Sequence, residues 1–562
     1  MDCRVCTCYV RCERTERRQM TWRWRRMDAL ESKPSEKGMS SFGRQLDRVV
    51  DHIRERHAAA ETAEVTASGA SLAAANAFLD THATLPEAGL GTAAVVDALL
   101  YTVGPGLVVH QSGPRYFGFV TGGTTDPALL ADLLVASYDQ NVQVHLPHVS
   151  VATRLEVLAL DMVADLIGFD ARSVFTGKTI TTGATSANVL GLCVGREYVG
   201  RRLYGPKFSV ADEGVANVKV AVLHASGHAC VAKAAAIVGI GRKNCYDLAA
   251  TPNSPNFNLE NLESTLIDLQ SRNVGGIIVL SNGEVNSGHH TSHIPEIRAL
   301  ADKYGAWLHM DAAFGAFAPP NSDNSNDQYR LADSITSDAH KWLNVPYDAG
   351  LFFTKRRDLL LATCSPTFDL AGSGPAYLSS TSSAVAVSPS LQDVTSPLMT
   401  GIENSRRFRA LPLYASLLAL GREGYRSLFA RNVAFANRVA RWIHASGDYI
   451  LLNSLDSTVV KQEEDEVDGV QVSSVVLFAA KKGNRGGFDV SGPNVHGNAQ
   501  LVERINGSRM MYVTGTTWNG KGAIRLAVSN WRTGLHVQTG DETDTDFETV
   551  VKVLAGVMAG GT

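Results

Sequence analysis

The sequence predicts an α/β protein with a mostly parallel central sheet, an N-terminal helical segment and a small C-terminal α+β domain. Short apolar runs alternate with helical segments between about residues 218 and 355. Helical periodicity dominates the stretch before them, and a Ser-, Gly- and Pro-rich stretch separates them from a final group of helices and strands. Alternation of this kind is typical of parallel strands joined by crossover helices. A chain of 562 residues also exceeds what one core usually serves.

Composition and charge argue against several classes of protein. The formal net charge of −4 provides no basic surface for nucleic acid, so we expect no nucleic-acid partner. Apolar runs are too short to cross a bilayer, so we expect no membrane partner. The four cysteines within residues 1–12 lack a second, distant ligand pair, so we expect no metal site. The other four are scattered like small apolar residues of a reducing compartment, which predicts a cytoplasmic location.

The chain divides into four predicted segments. Residues 1–41 are basic and polar without the apolar core of a secretory signal, and we expect a disordered extension. Residues 42–115 begin with Leu46, Val49, Val50 and Ile53 on one helix face. These N-terminal helices are amphipathic and have no obvious core of their own, so we expect them to serve dimerisation.

Residues 116–401 are predicted to form the large α/β domain. Its expected strands lie in the runs at 218–225, 275–283, 306–315, 332–340 and 349–355. Residues 372–401 form a long Ser-, Gly- and Pro-rich loop, which in a compact enzyme is usually a lid or disordered. Residues 402–562 contain a long helix interrupted around Gly421–Gly424 and two later strands, "SSVVLFAA" and "GAIRLAVSNW".

One lysine poses a chemical question. In "SDAHKWLNVPYDAG" (337–350), Lys341 stands where the chain should turn inward between His340 and Trp342. A buried lysine loses its proton readily, and the neutral amine can form a Schiff base with an aldehyde. The alternative is a helix-end lysine whose amine reaches water.

Three other stretches place polar groups at strand ends or helix starts. "TTGATSANVLGL" opens a helix with small hydroxyl residues, which suits an anion, although Thr and Ser are also ordinary N-caps. Asp311 ends an apolar strand in "LHMDAAFG" and shares a strand face with Ala313, so both should point at one object. It could instead cap a following helix. His228 follows another strand, where histidine is often a structural hydrogen-bonding group.

In this order, these features resemble the group II pyridoxal-phosphate-dependent amino-acid decarboxylases. The resemblance covers about Phe42 to the C-terminus and rests on "GPRYFGFVTGGTTDPALLADLLVASYDQN", "HMDAAFG", "DAHKW" and "AIRLAVSNWRT". It implies the aspartate-aminotransferase-like fold type I, pyridoxal 5′-phosphate (PLP) as cofactor, an amino-acid substrate and a homodimer.

The resemblance also implies residue roles. Lys341 would hold PLP through a Schiff base, and Asp311 would pair with the pyridine nitrogen so that the ring acts as an electron sink. His228 would stack on the ring and meet the substrate carboxylate. The remaining cofactor-binding residues on the phosphate or ring side would be Gly183, Ala184, Thr185, Ser281, Ala313 and His340.

The sequence departs from the family pattern at three places. Val142 and Val144 stand where aromatic-specific relatives carry bulkier residues, and Glu284 and Val285 replace small hydroxyl residues. The loop at 372–401 has Tyr377 near its start, but Leu398, Met399 and Thr400 stand where relatives place a proton-donating tyrosine. The resemblance predicts PLP-dependent decarboxylation of an L-amino acid to the amine and CO₂. Two alternatives stay open: an oxygen-dependent reaction that gives an aldehyde, and PLP binding without turnover.

Overall fold

The computed structural model describes residues 7–13, 21–27, 40–317, 325–365, 394–454, 470–488, 496–535 and 544–560. Its strands are β1 (Thr7–Glu13), β2 (Thr21–Met27), β3 (Gly177–Thr181), β4 (Val220–His224), β5 (Cys245–Asp247), β6 (Gly275–Ser281), β7 (Trp307–Asp311), β8 (Ser334–Asp338), β9 (Gly350–Thr354), β10 (Tyr449–Leu451), β11 (Val475–Ala480), β12 (Thr514–Trp518) and β13 (Lys521–Ala527). Its α-helices are α1 (Ser41–Ala59), α2 (Gly69–Thr81), α3 (Thr92–Ala98), α4 (Asp126–Tyr138), α5 (Ala152–Ile167), α6 (Ala184–Tyr204), α7 (Val210–Glu213), α8 (Ala229–Ile237), α9 (Leu259–Ser271), α10 (Ile294–Tyr304), α11 (Arg357–Cys364), α12 (Ala410–Ala445), α13 (His496–Gly507) and α14 (Thr545–Met558).

The central sheet has the strand order β3-β9-β8-β7-β6-β4-β5. Strand β9 runs antiparallel to its neighbours β3 and β8, and the other neighbouring pairs are parallel. The mostly parallel α/β fold is thereby confirmed, and β4, β6, β7, β8 and β9 fall in the five predicted runs. Strand β3 was not predicted, because its mixed sequence "GKTIT" lacks an apolar run.

Both faces of the central sheet are buried, which explains its continuous apolar strands. In β6, the side chains of Ile278 and Leu280 belong to one apolar cluster, whereas Ile277 and Val279 belong to another. Successive strand residues point to opposite faces, so one unbroken apolar run supplies both layers of core.

The C-terminal sheet is antiparallel, with the order β10-β11-β13-β12. It shares an apolar cluster with the second half of α12 and with α13 and α14. Gly421 interrupts α12 with φ 60° and ψ −174°, which agrees with the break expected around Gly421–Gly424. The small α+β arrangement therefore follows the sequence pattern.

The chain forms two compact units, one of residues 1–59 and 70–106 and the other of residues 60–69 and 107–562. In the first unit, β1 pairs with β2 and no side chain of α1 is buried. The second unit contains both the central and the C-terminal sheets. The finer division at residues 41, 115 and 401 stays a prediction. No helix in the described ranges combines the length and apolar character needed to span a membrane.

Candidate active site

The ends of three parallel strands bring polar side chains to one edge of the central sheet. Ser281 at the end of β6 pairs in register with Asp311 at the end of β7, and Asp311 pairs with Thr336 of β8. The turn that carries Lys341 follows β8 directly. Carboxyl ends of parallel strands form the usual ligand-binding edge of open α/β sheets.

A cavity of about 510 Å³ lies at this edge, within the usual size of a small-molecule site. The residues that the sequence analysis assigned to the site all line it: Gly183, Ala184, Thr185, His228, Ser281, Asp311, Ala313, His340 and Lys341. Glu284 and Val285, noted as departures from the family pattern, line it as well. Among the lining residues that sequence reasoning missed are Phe119, Val120, Cys230, Lys233 and Asp338.

The backbone around Lys341 is closely packed. Gly122 N donates to His340 O at 3.3 Å, and a Cβ atom at Gly122 would lie only 1.8 Å from Lys341 O. Only glycine therefore fits where this segment crosses the lysine turn. Lys341 itself is half-buried and lines the cavity.

Asp311 is a buried carboxylate with two defined donors. Its Oδ2 accepts from Asn188 Nδ2 at 2.8 Å, and its Oδ1 accepts from Ala313 N at 3.1 Å. Cys230 Sγ lies 3.9 Å from Oδ2. Burial, and then the Asp311 charge, raise the pKa of Cys230 to about 12, so this thiol stays protonated beside the carboxylate. The carboxylate has lone pairs left for a cation in the cavity.

His228 is the N-cap of α8 and also lines the cavity. Its Nδ1 accepts from Cys230 N at 3.1 Å, so the structural and the functional interpretations hold together. Burial lowers the pKa of His228, and the Asp311 carboxylate opposes that shift. The ring is therefore held in one orientation, with Nε2 left to carry the proton.

The start of α6 combines an anion site with a carboxylate. Gly183 is the N-cap, and the amides of Thr185 and Ser186 in the first turn have no intrahelical carbonyl to bind. Ala184 N donates to Asp338 Oδ2 at 3.0 Å. Asp338 Oδ1 lies 2.7 Å from His340 Nδ1, which is close enough for an ion pair. The angles between the two groups do not meet those of a hydrogen bond. His340 therefore lies directly beside the carboxylate at this helix end.

A buried arginine approaches the same region from the C-terminal sheet. Arg525 on β13 is 7% exposed, and its Nε and Nη2 atoms have no hydrogen-bond partner. Burial lowers its pKa to about 10, and the charge of Glu284 opposes that shift. Glu284 is fixed by Ser287, whose N and Oγ donate to Glu284 Oε2 at 2.7 and 2.8 Å. The available signal was the charged residue inside the apolar strand "AIRLAV", since an unpaired buried charge is costly.

The comparisons with known proteins decide the family. The model of the pyridoxal-dependent decarboxylase conserved domain matches residues 82–461, more than half of the chain. The chain belongs to the pyridoxal-dependent decarboxylase family. Its cofactor is PLP and its activity is amino-acid decarboxylation. Neither the oxygen-dependent reaction nor a role without turnover is favoured.

Individual relatives of this decarboxylase are distant. It is 26% identical to L-2,4-diaminobutyrate decarboxylase of Acinetobacter baumannii over 310 residues, 53% of this chain and 57% of that protein. It is 24% identical to phenylacetaldehyde synthase of Arabidopsis thaliana over 453 residues, 77% of this chain and 81% of that protein. A crystal structure of Oryza sativa TDC with PLP and tryptamine superposes with a TM-score of 0.73 at 19% identity, covering 93% of this chain and 99% of that one. This structural likeness confirms the predicted fold.

The cavity of the decarboxylase fits PLP by its chemistry. The fixed carboxylate of Asp311 would suit a protonated ring nitrogen, and the Lys341 amine would suit the aldehyde. The amide groups in the first turn of α6 would suit a phosphate. The unpartnered nitrogens of the buried Arg525 are suited to a further anionic group such as a carboxylate.

The other predicted features have mixed outcomes. Tyr377 lies outside the described residues. Pro397–Met399 form a short 3₁₀ turn, and Leu398 and Thr400 are buried. Within the described ranges, Val142 and Val144 are not among the residues that line the cavity. Nor do those ranges contain three His, Cys, Asp or Glu side chains placed to share a metal ion.

Proposed function

We propose that this decarboxylase holds PLP through Lys341, with Asp311 at the ring nitrogen and His228 against the ring face. The single observation that supports this assignment is that one cavity gathers the lysine, the carboxylate, the histidine and the start of α6. In this proposal Gly183, Ala184, Thr185 and His340 receive the phosphate, and Ser281 and Ala313 lie beside the ring.

Each residue then has a defined task. Bound PLP supplies an electron sink for the electron pair left when CO₂ departs. Asp311 keeps a proton on the ring nitrogen through its fixed carboxylate, and the Lys341 amine provides the attachment point. His228 is held by its own cap contact, so it presents one orientation to the cofactor and the substrate.

Arg525 is the residue that we assign to the substrate carboxylate, beside His228. A guanidinium group binds a carboxylate in a fork geometry, and Arg525 has two free nitrogens and little exposure. The Arg525 charge acts on His228 and is itself affected by Glu284, and these two residues line the cavity although Arg525 is not among the lining residues. Binding a carboxylate would satisfy a charge that the fold otherwise leaves unpaired.

A substrate panel tests the proposed function. Purified protein loaded with PLP is incubated with aromatic, acidic and diamino L-amino acids, while CO₂, amine, aldehyde, peroxide and oxygen are measured. We expect CO₂ and amine in equal amounts from at least one substrate, and neither from a Lys341→Ala variant. CO₂ release that persists in the variant would contradict the assignment, and peroxide matching CO₂ would support the oxygen-dependent reaction instead.

We also infer a homodimer, and helix α4 supports it. Ala128, Ala131 and Val135 bury one face of this helix, yet the opposite face exposes the large apolar side chains of Leu130, Leu133, Leu134 and Tyr138. A helix that is apolar all round is normally buried on both faces. Sedimentation of a Leu130→Glu, Leu134→Glu double variant should show monomers, whereas Ile267→Glu, an exposed apolar residue of α9, should stay dimeric. A double variant that remains dimeric would exclude this face.

We further propose a cytoplasmic location. Its support is that Cys193, Cys230, Cys245 and Cys364 are free thiols, as in a reducing compartment. Cell fractionation with an antibody to the native protein tests this location, and recovery from an oxidising compartment would contradict it.

A further inference from the structure

A row of buried polar side chains lies beneath the cavity and ends on Asp311. Trp307 Nε1 donates to Ser334 Oγ at 3.0 Å, and Ser334 Oγ lies 2.7 Å from His309 Nδ1. His309 Nε2 lies 2.8 Å from Asn188 Oδ1, and Asn188 Nδ2 donates to Asp311 Oδ2 at 2.8 Å. The other four residues of the row are each at most 1% exposed, so water does not compete for these bonds.

The two ends of the row and a neutral His309 ring fix the direction of every bond in it. An indole N–H can only donate, so Ser334 Oγ accepts from Trp307. An ionised carboxylate can only accept, so the Asn188 amide must aim its nitrogen at Asp311 and its oxygen at His309. His309 therefore donates from Nε2, and because a neutral ring carries one proton, its Nδ1 accepts from the Ser334 hydroxyl. All donors then point towards Asp311.

The surroundings of His309 agree with a neutral ring. Burial lowers the pKa of His309 to about 4, and the Asp311 charge opposes that shift. Helix α6 passes close by, because a Cβ atom at Gly191 would lie 2.4 Å from His309 Cε1. A glycine is therefore needed opposite the ring. Thr336 Oγ1, at 3.4 Å from Nε2, is the longer of the two contacts to that nitrogen.

We propose that Trp307, Ser334, His309 and Asn188 form a one-way relay of hydrogen bonds that orients the Asp311 carboxylate towards the ring nitrogen of PLP. The relay residues do not touch the cofactor and act through Asp311, so they are positioning residues. The proposal rests on the proposed role of Asp311. Networks of this kind raise the precision of a buried polar group because each member is fixed by the next.

The first test separates ring-nitrogen recognition from general binding. Affinities for PLP and for its 1-deaza analogue, in which a C–H replaces the ring nitrogen, are measured by absorbance for Asn188→Leu. Asn498→Leu is the matched control, because Asn498 is a buried asparagine with two hydrogen bonds in the C-terminal sheet. We expect Asn188→Leu to weaken PLP binding about 10- to 100-fold, as for the loss of a bond to a charged group, and to change analogue binding no more than the control does.

A second readout does not depend on affinity. The ¹⁵N chemical shift of the ring nitrogen in bound, labelled PLP should move towards the neutral value in Asn188→Leu and stay unchanged in Asn498→Leu. Equal effects of the two variants on both readouts would overturn the relay.

Asp311→Asn is measured alongside. If Asp311→Asn changes the affinities for PLP and for the analogue equally, the proposed role of Asp311 fails. If Asp311→Asn weakens only PLP binding and Asn188→Leu does not, the relay alone fails.

The hydrogen-bonding role of His309 has its own test. Glutamine can accept from Ser334 through its carbonyl and donate to Asn188 through its amide, whereas leucine can do neither. His309→Gln should therefore recover most of the PLP affinity that His309→Leu loses. Equal losses in both variants would show that hydrogen bonds at position 309 do not support PLP binding, and the relay would be overturned.

Milder variants at the far end of the relay cover the case in which the larger changes prevent folding. Ser334→Ala removes a single buried hydroxyl, and Ser416→Ala removes another that contacts Thr125 and Tyr425 instead. We expect Ser334→Ala to weaken PLP binding severalfold relative to Ser416→Ala, with the analogue unaffected. Equal PLP affinities would contradict the relay.

Discussion

The central and the C-terminal sheets contribute to the site in different ways. The central sheet delivers Ser281 and Asp311 at the ends of its strands, and Lys341 in the turn after β8. The residue that we propose from the C-terminal sheet, Arg525, lies within β13, where it pairs with Leu477 and Thr514. The carboxyl ends of parallel strands lie at one edge of a sheet, whereas a residue within an antiparallel strand points out from one face of the sheet.

This difference separates chemical groups from binding groups. If it is correct, variants at the edge of the central sheet should abolish chemistry, and variants in the C-terminal sheet should mainly weaken substrate binding. Of the four predictions below, which begin with the largest expected effect, the first three test that division and the fourth tests the buried histidine of the central sheet.

Lys341→Ala should abolish covalent attachment of PLP and lower decarboxylation by about 10³-fold or more, because the amine that forms the Schiff base is gone. Borohydride reduction and peptide mapping check the attachment point. Lys233→Ala is the matched control, since Lys233 lines the same cavity at an exposed position. A tagged peptide that contains Lys233 and not Lys341 would exclude the assignment.

Asp311→Asn should lower turnover about 10²- to 10³-fold while the melting temperature changes little, because the variant keeps the side-chain shape and loses the charge opposite the ring nitrogen. The matched control is Asp546→Asn. Asp546 is also buried, but it pairs with Arg115 at 3.0 Å, and neither residue lines the cavity. We expect that control to lose stability and to keep turnover. The reverse pattern would remove Asp311 from the chemistry.

The same difference between the sheets explains which site residues could be predicted from the sequence. The common location of Lys341, Asp311 and His228 could be predicted because each lies at or after the end of a strand, and parallel topology brings strand ends together. Arg525 could not be placed, since nothing in an antiparallel strand says which cavity its face meets. The partners of Asp311 were hidden for another reason. Asn188 and Asp311 are 123 positions apart, and hydrogen-bond direction depends on packing that the sequence pattern does not encode.

Arg525→Met should raise KM for the amino acid about 10- to 100-fold, with a smaller change in kcat, because a charge-assisted bond to the carboxylate is lost. Its melting temperature should hold or rise, since the variant removes a buried charge whose Nε and Nη2 lack partners.

Arg406→Met is the comparison for that prediction. Arg406 pairs with buried Glu156 and donates to Ile180 O at 2.9 Å. We expect it to lose about 3–5 kcal/mol of unfolding free energy, since a buried carboxylate would be left without its partner. A large stability loss in Arg525→Met would show that Arg525 serves the fold instead of the substrate.

The smallest expected effect concerns acid stability and the interior of the central sheet. Burial lowers the pKa of His309 to about 4, whereas a histidine in the unfolded chain titrates near ~6.5. As the pH falls through that interval, the unfolded chain binds the proton first, so the folded state loses stability. The loss from His309 should be about 2 kcal/mol between pH 7 and pH 5. His309→Gln cannot titrate, and its unfolding free energy should fall by that much less over the interval.

His290→Gln makes this test specific. Burial also lowers the pKa of His290 to about 4, so its replacement should reduce the acid loss by a similar amount. His290 lies in the loop after β6 and has no contact in the relay to Asp311. Denaturant unfolding at pH 5 and 7 measures the acid effect, and PLP affinity measures the relay. One outcome is that His309→Gln and His290→Gln reduce the acid loss equally, while PLP affinity falls in His309→Leu and not in His290→Gln. That result would show that the buried histidine of the central sheet supports the site. If His309→Gln does not change the loss of unfolding free energy between pH 7 and pH 5, His309 is not held neutral. The assigned bond directions would then be wrong.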